Sequence, residues 1–406
     1  MHIVALTHLF YPARGGTETA LLECSKRLVK KGHRVTVVTS DQTTLEDFKN
    51  PRANPSLPGE EFREGIQIIR LPLSQNQRLL MAKSGALALR SRLMGGDYLW
   101  FMAQVPYLPR MIKTAQGLNP DLLYAVPFPT ATSYYAKVAA QKIGCPWVIQ
   151  PHLHFKDINT SLMKIIRWIF PKASAILTNT RAEKTYLVKQ GLKEEKIHAL
   201  GQGIDLSLLS GGHGPRFRST HGLTDEPMVL FMGRKVENKG IDTLLETMPL
   251  IWKEEPRTVL ILAGQPSPYF QNLYSGHPLS RDPRILSVDN FPEVEKADIL
   301  SACDILILPS QTESFGVVFL EAWIKGKPVI GARIPAVEEM IQDGEDGLLV
   351  PYGDPLESAR AITTLLKDPE LRRTMGEKGR LKVDHYFEIG RVTDRMEALF
   401  LSLIRS

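Results

Sequence analysis

Short, nearly continuous runs of Val, Ile and Leu alternate with longer helical stretches along the whole chain, and this alternation limits what it can fold into. In the first half the runs are IVALTH, RVTVVTS, GIQIIRLP, DLLYAV, PWVIQP, ASAILTN and KIHAL. In the second half they are MVLFMG, TVLILAG, RILSV, DILILP, KPVIGA and GLLVP. Such strands have no polar face to give to water, so both faces of their sheets must be covered by helices, as in parallel α/β folds. Helical patterns over Glu18–Lys31, Ile241–Lys253 and Phe315–Lys325 supply such cover. About thirteen strands are too many for one sheet of this kind, which predicts two Rossmann-like doubly wound domains. Residues 206–227 carry Gly211, Gly212, Gly214, Gly222, Pro215 and Pro227 with no apolar period, and read as a linker that cuts the chain nearly in half.

Composition removes several function classes. A chain of 406 residues that is 43% hydrophobic and 23% charged can bury sizeable cores, which excludes disorder, collagen and a disulfide mini-scaffold. Fifty Lys and Arg face 44 Asp and Glu, a net charge of +6. That suits an anionic ligand without selecting one, and no nucleic-acid partner is expected. Cys24, Cys145 and Cys303 are widely spaced and read as reduced thiols. No run reaches the ~18 apolar residues of a spanning helix, and MHIVALTH reads as a first strand, so a cytoplasmic protein is expected. Residues 78–113 interleave Arg78, Lys83, Arg90, Arg92, Arg110 and Lys113 with apolar residues, including Trp100 and Phe101. This segment is either a solvated amphipathic element packed on its own sheet or a face for an anionic membrane surface.

Three segments can carry chemistry. Tyr11–Glu18 follows the first strand, and its Gly15-Gly16 pair opens a helix whose N–H groups suit a phosphate; a tight turn capped by Thr17 is the alternative. Gly233-Arg234, with Lys239-Gly240 five residues on, places two cations at a strand-to-helix turn, where a pyrophosphate would draw both. The third runs from Pro309 to Glu321. Were it fully helical, Glu313 and Glu321 would be ~12 Å apart. The carboxylate pair of a retaining glycosidase is ~5–5.5 Å apart. The two acids are therefore expected to hold different parts of one ligand.

The E-x7-E of TESFGVVFLEAW, together with GRKVENKGID and GGTE, resembles family 4 of the retaining glycosyltransferases, which have the GT-B fold. QGIDLSLL and the stretch from KPVIGA to GEKGR are similar to that family as well. The resemblance implies two domains facing across a cleft. Residues 1–205 would bind an acceptor (a carbohydrate, a lipid-linked glycan or a small molecule). Residues 228–385 would bind a nucleotide-diphosphate sugar, and a helix over 386–406 would cross back to the first domain. It implies sugar transfer with retention, without a metal or other cofactor, in keeping with the absence of D-x-D. Arg234, Lys239 and the helix start would hold the pyrophosphate. Glu313 would lie beside the donor sugar and Glu321 would bind ribose hydroxyls. Gly233, Phe315, Gly316 and Val317 would supply backbone contacts to the donor, and Gly16 would close over its phosphate. His152, rather than His154, would hydrogen-bond the donor sugar. The chain departs from the pattern at Gln202, where asparagine is usual, at ILAGQPSP, which lacks a second glycine, and at Asn290, where glycine is frequent. A nucleotide-sugar 2-epimerase and a non-catalytic carbohydrate-binding protein on the same fold are the alternative readings.

Overall fold

The computed structural model describes residues 1–13, 15–44, 47–48, 57, 59–73, 101, 107–154, 158–289 and 291–405. They divide into two compact units, one of Met1–Gly203 with Ile389–Ser406 and one of Ile204–Glu388.

In the first unit the strands are β1 (His2–Leu6), β2 (Arg34–Ser40), β3 (Glu60–Arg63), β4 (Ile66–Leu71), β5 (Leu122–Ala125), β6 (Trp147–Ile149), β7 (Ala175–Thr178) and β8 (Ile197–Ala199). Their order is β3-β4-β2-β1-β5-β6-β7-β8, and every pairing is parallel except that of β3 with β4. The second unit holds β9 (Met228–Met232), β10 (Val259–Ala263), β11 (Ile285–Val288), β12 (Ile305–Leu308), β13 (Val329–Ala332) and β14 (Gly347–Val350). These form an all-parallel sheet in the order β11-β10-β9-β12-β13-β14. Each apolar run of the sequence is a strand here, and the fold class is the expected one. β3 has no apolar signature: it is Glu-Glu-Phe-Arg with Phe62 exposed, the charged edge that discourages further pairing.

The strands are buried because both faces of each sheet are covered. On β1, Val4 and Leu6 face the core under helices Arg110–Leu118 and Thr132–Ile143. Ile3 and Ala5 face the opposite core, shared with Leu21 and Leu28 of helix Gly16–Lys30 and with Met396 and Phe400 of helix Ile389–Arg405. Each such Val, Leu or Ile contributes about 1.5–3 kcal/mol on burial. The C-terminal helix thus belongs to the first unit, where Lys31 and His33 hold Glu397 at 2.6 Å each. Gly203 and Ile389, where the chain leaves and re-enters this unit, are so close that a Cβ on Gly203 would lie 2.7 Å from the Ile389 Cα.

Residues 206–227 are not an open linker. They form a 3-10 turn over Leu206–Leu209 and a helix over Gly214–Thr220, and Leu209 and Phe217 are buried in the second core. Asp298 anchors the segment by accepting from the His213 N–H at 2.6 Å and from the Arg216 Nε at 2.7 Å. Of residues 78–113, only Phe101 and 107–113 lie among the described residues. Phe101 is buried against Phe128, with ring centroids 5.7 Å apart. Leu108 and Met111 point into the same core, while Arg110 and Lys113 are exposed. These residues form an amphipathic element packed on its own sheet; Arg78, Lys83, Arg90, Arg92 and Trp100 lie outside the described residues. No described helix is long and apolar enough to cross a membrane.

Candidate functional site

Doubly wound sheets bind ligands beyond the carboxyl ends of the strands where the strand order reverses. In the second unit the order reverses between β9 and β12. Gly233-Arg234 follows β9 and Pro309–Gly316 follows β12, so the topology brings together two of the three segments singled out in the sequence. The two loops are tied by the Gln311 N–H donating to the Asn238 carbonyl at 2.9 Å. Gly240 lets them approach: its φ is +70°, and a Cβ there would lie 2.3 Å from the Pro309 carbonyl oxygen. Across this junction Lys239 Nζ meets Glu313 Oε1 at 2.5 Å, with both side chains largely buried. An ammonium carries three donors, so Lys239 keeps N–H groups for a further anion. Arg234 is exposed; its carbonyl accepts from the Val236 N–H at 3.0 Å, and its guanidinium bonds no described residue.

Glu313 precedes the helix and Glu321 lies within it, since the helix runs only over Val317–Ile324. The fully helical geometry considered for the two acids is therefore not realised. The helix begins after Gly316, at φ +90°, where a Cβ would strike the Phe319 ring at 2.6 Å. The Phe315 side chain is buried edge-on to Phe387, with centroids 5.6 Å apart, so only its backbone can serve a ligand. Glu321 is buried and paired with Lys296 of helix Glu293–Ala302.

Sequence reasoning missed Lys296, and nothing local in FPEVEKADIL marks it; its role comes from a contact 25 residues away. It also missed Lys235, the cation beside Arg234. The Lys235 side chain is wholly buried, donates to Ser287 Oγ at 2.7 Å, pairs with Asp289, and has the Phe270 ring 4.9 Å away. Burial lowers its pKa, and the bond to Asp289 opposes that shift. The loop after β10 packs onto it through the Lys235 N–H, which donates to the Gln265 carbonyl at 3.0 Å. Asn290, the departure noted after β11, lies outside the described residues.

The first unit reverses between β1 and β5. Arg14 lies outside the described residues; Gly15, in extended backbone at φ 179°, caps helix Gly16–Lys30 with no side-chain hydrogen bond, so Thr17 is not the cap. Thr17, Tyr124, Gln150, His152 and Gln202 line one small recess beside the start of that helix. His152 follows β6 at φ +55°. A residue with a Cβ holds such a conformation at a cost of about 1–3 kcal/mol, and strain of this kind gathers at functional sites. Its Nδ1 receives Asn179 Nδ2 at 2.9 Å and Gln202 Nε2 at 2.7 Å. Burial, helped by His154, pushes its pKa down to about 3, so the ring is neutral near pH 7. Gln202, the departure from asparagine, thus has a structural task. His154 is only half-buried, and Lys156 and Asp157 lie outside the described residues.

Glu183, also missed, ties this loop down. Its carboxylate accepts from the Leu153 N–H at 3.1 Å and from the Asn179 N–H at 2.8 Å. Its own N–H donates to Thr180 Oγ1 at 3.1 Å at the start of helix Arg181–Lys189. The signal was readable, since Thr180-Arg181-Ala182-Glu183 is a capping box.

Comparison with known proteins places the family and the fold. Residues 215–382 match the family described as glycosyl transferases group 1, and residues 14–208 match that described as Glycosyltransferase Family 4. The chain is 26% identical over 407 residues to N-acetyl-alpha-D-glucosaminyl L-malate synthase of Bacillus anthracis, covering 97% of this chain and 96% of that protein. It is 31% identical over 218 residues to D-inositol 3-phosphate glycosyltransferase of Corynebacterium efficiens, covering 50% of this chain and 51% of that one. Among solved structures, Anabaena HepE in complex with UDP-glucose superposes with a TM-score of 0.78 at 18% identity, covering 99% of this chain and 100% of that one. Sucrose-phosphate synthase from Thermosynechococcus elongatus superposes at 0.73 and 20% identity, covering 100% and 99%.

Proposed function

From the premise that the chain belongs to the family 4 glycosyltransferases and has their GT-B fold, we propose that it moves a sugar from a nucleoside-diphosphate sugar to an acceptor hydroxyl with retention of configuration and without a metal ion. The observation that carries this reading is the junction in the second unit, where Lys239 is paired with Glu313 beside the exposed Arg234 guanidinium at the strand-order reversal. A departing diphosphate needs fixed positive charge at the moment it leaves, and groups already in place supply it without reorganisation.

In this proposal Arg234, Lys239 and the backbone N–H groups of Gly233, Phe315, Gly316 and Val317 hold the diphosphate. Gly16, at the start of its helix, gives it a further close backbone contact. Glu321, held by Lys296, accepts from ribose hydroxyls. The bond from the anomeric carbon to the diphosphate oxygen breaks, and the acceptor oxygen joins that carbon on the same face. The acceptor proton passes to the departing phosphate oxygen. Glu313 stabilises the positive charge that develops on the sugar between these events, and the neutral His152 hydrogen-bonds a sugar oxygen. The absence of D-x-D supports the metal-free reading. The acceptor is a glycan, a lipid-linked glycan or a small molecule, and the three free cysteines suit a cytoplasmic setting.

The test is incubation with UDP-, GDP-, ADP- and TDP-sugars in EDTA, with and without an acceptor extract. Free nucleoside diphosphate released only with acceptor, and a product of retained anomeric configuration, are the expected results. Epimerised donor in the absence of acceptor would replace this reading with a 2-epimerase.

A further inference from the structure

The groups around His152 form a one-way hydrogen-bond chain. Tyr124 and Gln150 are bonded through the phenol O–H and Oε1. Gln150 Nε2 then donates to Asn179 Oδ1 at 2.9 Å, and Asn179 Nδ2 donates to His152 Nδ1. Gln202 Nε2 reaches the same ring nitrogen from the segment after β8. Both groups at Nδ1 are N–H donors, so Nδ1 must present its lone pair, and in a neutral ring the proton then sits on Nε2. No described residue bonds Nε2.

We infer that Asn179 and Gln202 are positioning residues that lock His152 in the Nε2–H tautomer, so that the ring meets its ligand only as a hydrogen-bond donor to a lone-pair oxygen. This rests on the proposed contact between His152 and the donor sugar, and adds the polarity of that contact and the residues that set it. Burial keeps the Tyr124 phenol protonated far above its ordinary range, so its O–H stays available to donate to Gln150 Oε1. The backbone on both sides is fixed as well, because Glu183 accepts from the N–H groups of Leu153 and Asn179. Gln202 Oε1 is buried with no partner among the described residues. An orphaned carbonyl there is understandable if the Nε2 bond to the ring is what the position is for.

The decisive measurement is long-range nitrogen–proton correlation of the histidine rings in the full chain at pH 7, with the His152 signal assigned by its loss in His152→Gln. The inference expects an unprotonated Nδ1 and a protonated Nε2 in the wild type. Gln202→Met keeps the volume but leaves Asn179 as the one donor to Nδ1 among the described residues, so it should keep Nε2 protonated while loosening the ring, and lower kcat/KM about three- to fivefold. Gln202→Glu puts an acceptor against Nδ1, and should move the proton onto Nδ1 and lower kcat/KM about tenfold or more. A purely structural role would make the Met and Glu variants alike in tautomer and rate, which would overturn the inference. A wild-type ring protonated on Nδ1 would overturn it too. The ring spectrum is read without ligand, so it judges the relay whether or not sugar transfer is found.

Discussion

The two units reverse strand order in the same way beside their first strand but gather opposite chemistry at their strand tips. In the second unit the junction after β9 and β12 is built from ion pairs, Lys239 with Glu313 and Lys296 with Glu321. In the first unit the tips of β5, β6 and β7 carry the neutral groups Tyr124, Gln150, His152 and Asn179; the buried carboxylate of Glu183 bonds two backbone N–H groups there. In the proposed reaction, topology sets where the ligand is received and side chains set which part of it. A diphosphate calls for fixed countercharge; a sugar hydroxyl calls for neutral groups of fixed polarity.

If that contrast is real, removing charge should hurt most in the second unit. Lys239→Ala and Glu313→Ala should each lower kcat about 10²–10³-fold. The double variant should be little worse than either, because the pair acts as one group. His152→Ala should cost only about tenfold in kcat/KM; a loss equal to that of Lys239→Ala would erase the distinction between the units.

Acid should separate them in the reverse sense. Burial holds His8 at about 4 and His152 at about 3 in the first unit. Unfolded imidazoles titrate near 6.5, so below that pH the unfolded chain binds more protons and stability falls until the folded values are reached. At pH 5.5 this comes to about 1.4 kcal/mol per histidine. In the second unit the Asp282 carboxylate is lowered by its hydrogen bonds from Arg284, and its contribution is lost only as pH falls through the ordinary carboxylate range, below about 4. Hydrogen exchange at pH 7 and 5.5 should show β1 and β6 opening more readily while β9 and β10 hold. Equal loosening of both sheets would contradict this.

Smaller effects sharpen the picture. Lys296→Ala should raise the donor KM about fivefold with kcat nearly unchanged, since Lys296 steadies Glu321. Thr180→Ala should cost about 1 kcal/mol of stability in thermal unfolding through the lost cap.

What the sequence revealed was decided by range. β1, β9 and β12 announced themselves because a strand covered on both faces must be apolar throughout. Arg234, Lys239 and Glu313 were legible because each lies in a segment that leads from a strand to the next helix. β3 stayed hidden because an edge strand is stabilised by pairing and not by burial. Lys296 and Asn179 were hidden because their partners, Glu321 and His152, lie 25 and 27 residues away. Residues 206–227 looked like a linker because Leu209 and Phe217 find their core only in the folded second unit.

The central claim is that side chains, without a metal, hold the diphosphate in the second unit. Calorimetric titration in EDTA with UDP, GDP, ADP and TDP, of the wild type and of the Arg234→Ala/Lys239→Ala double variant, tests it most directly. At least one nucleotide should bind the wild type, and bind the variant at least about 100-fold more weakly. Binding that requires a divalent cation, or equal affinity for both proteins, would contradict the account.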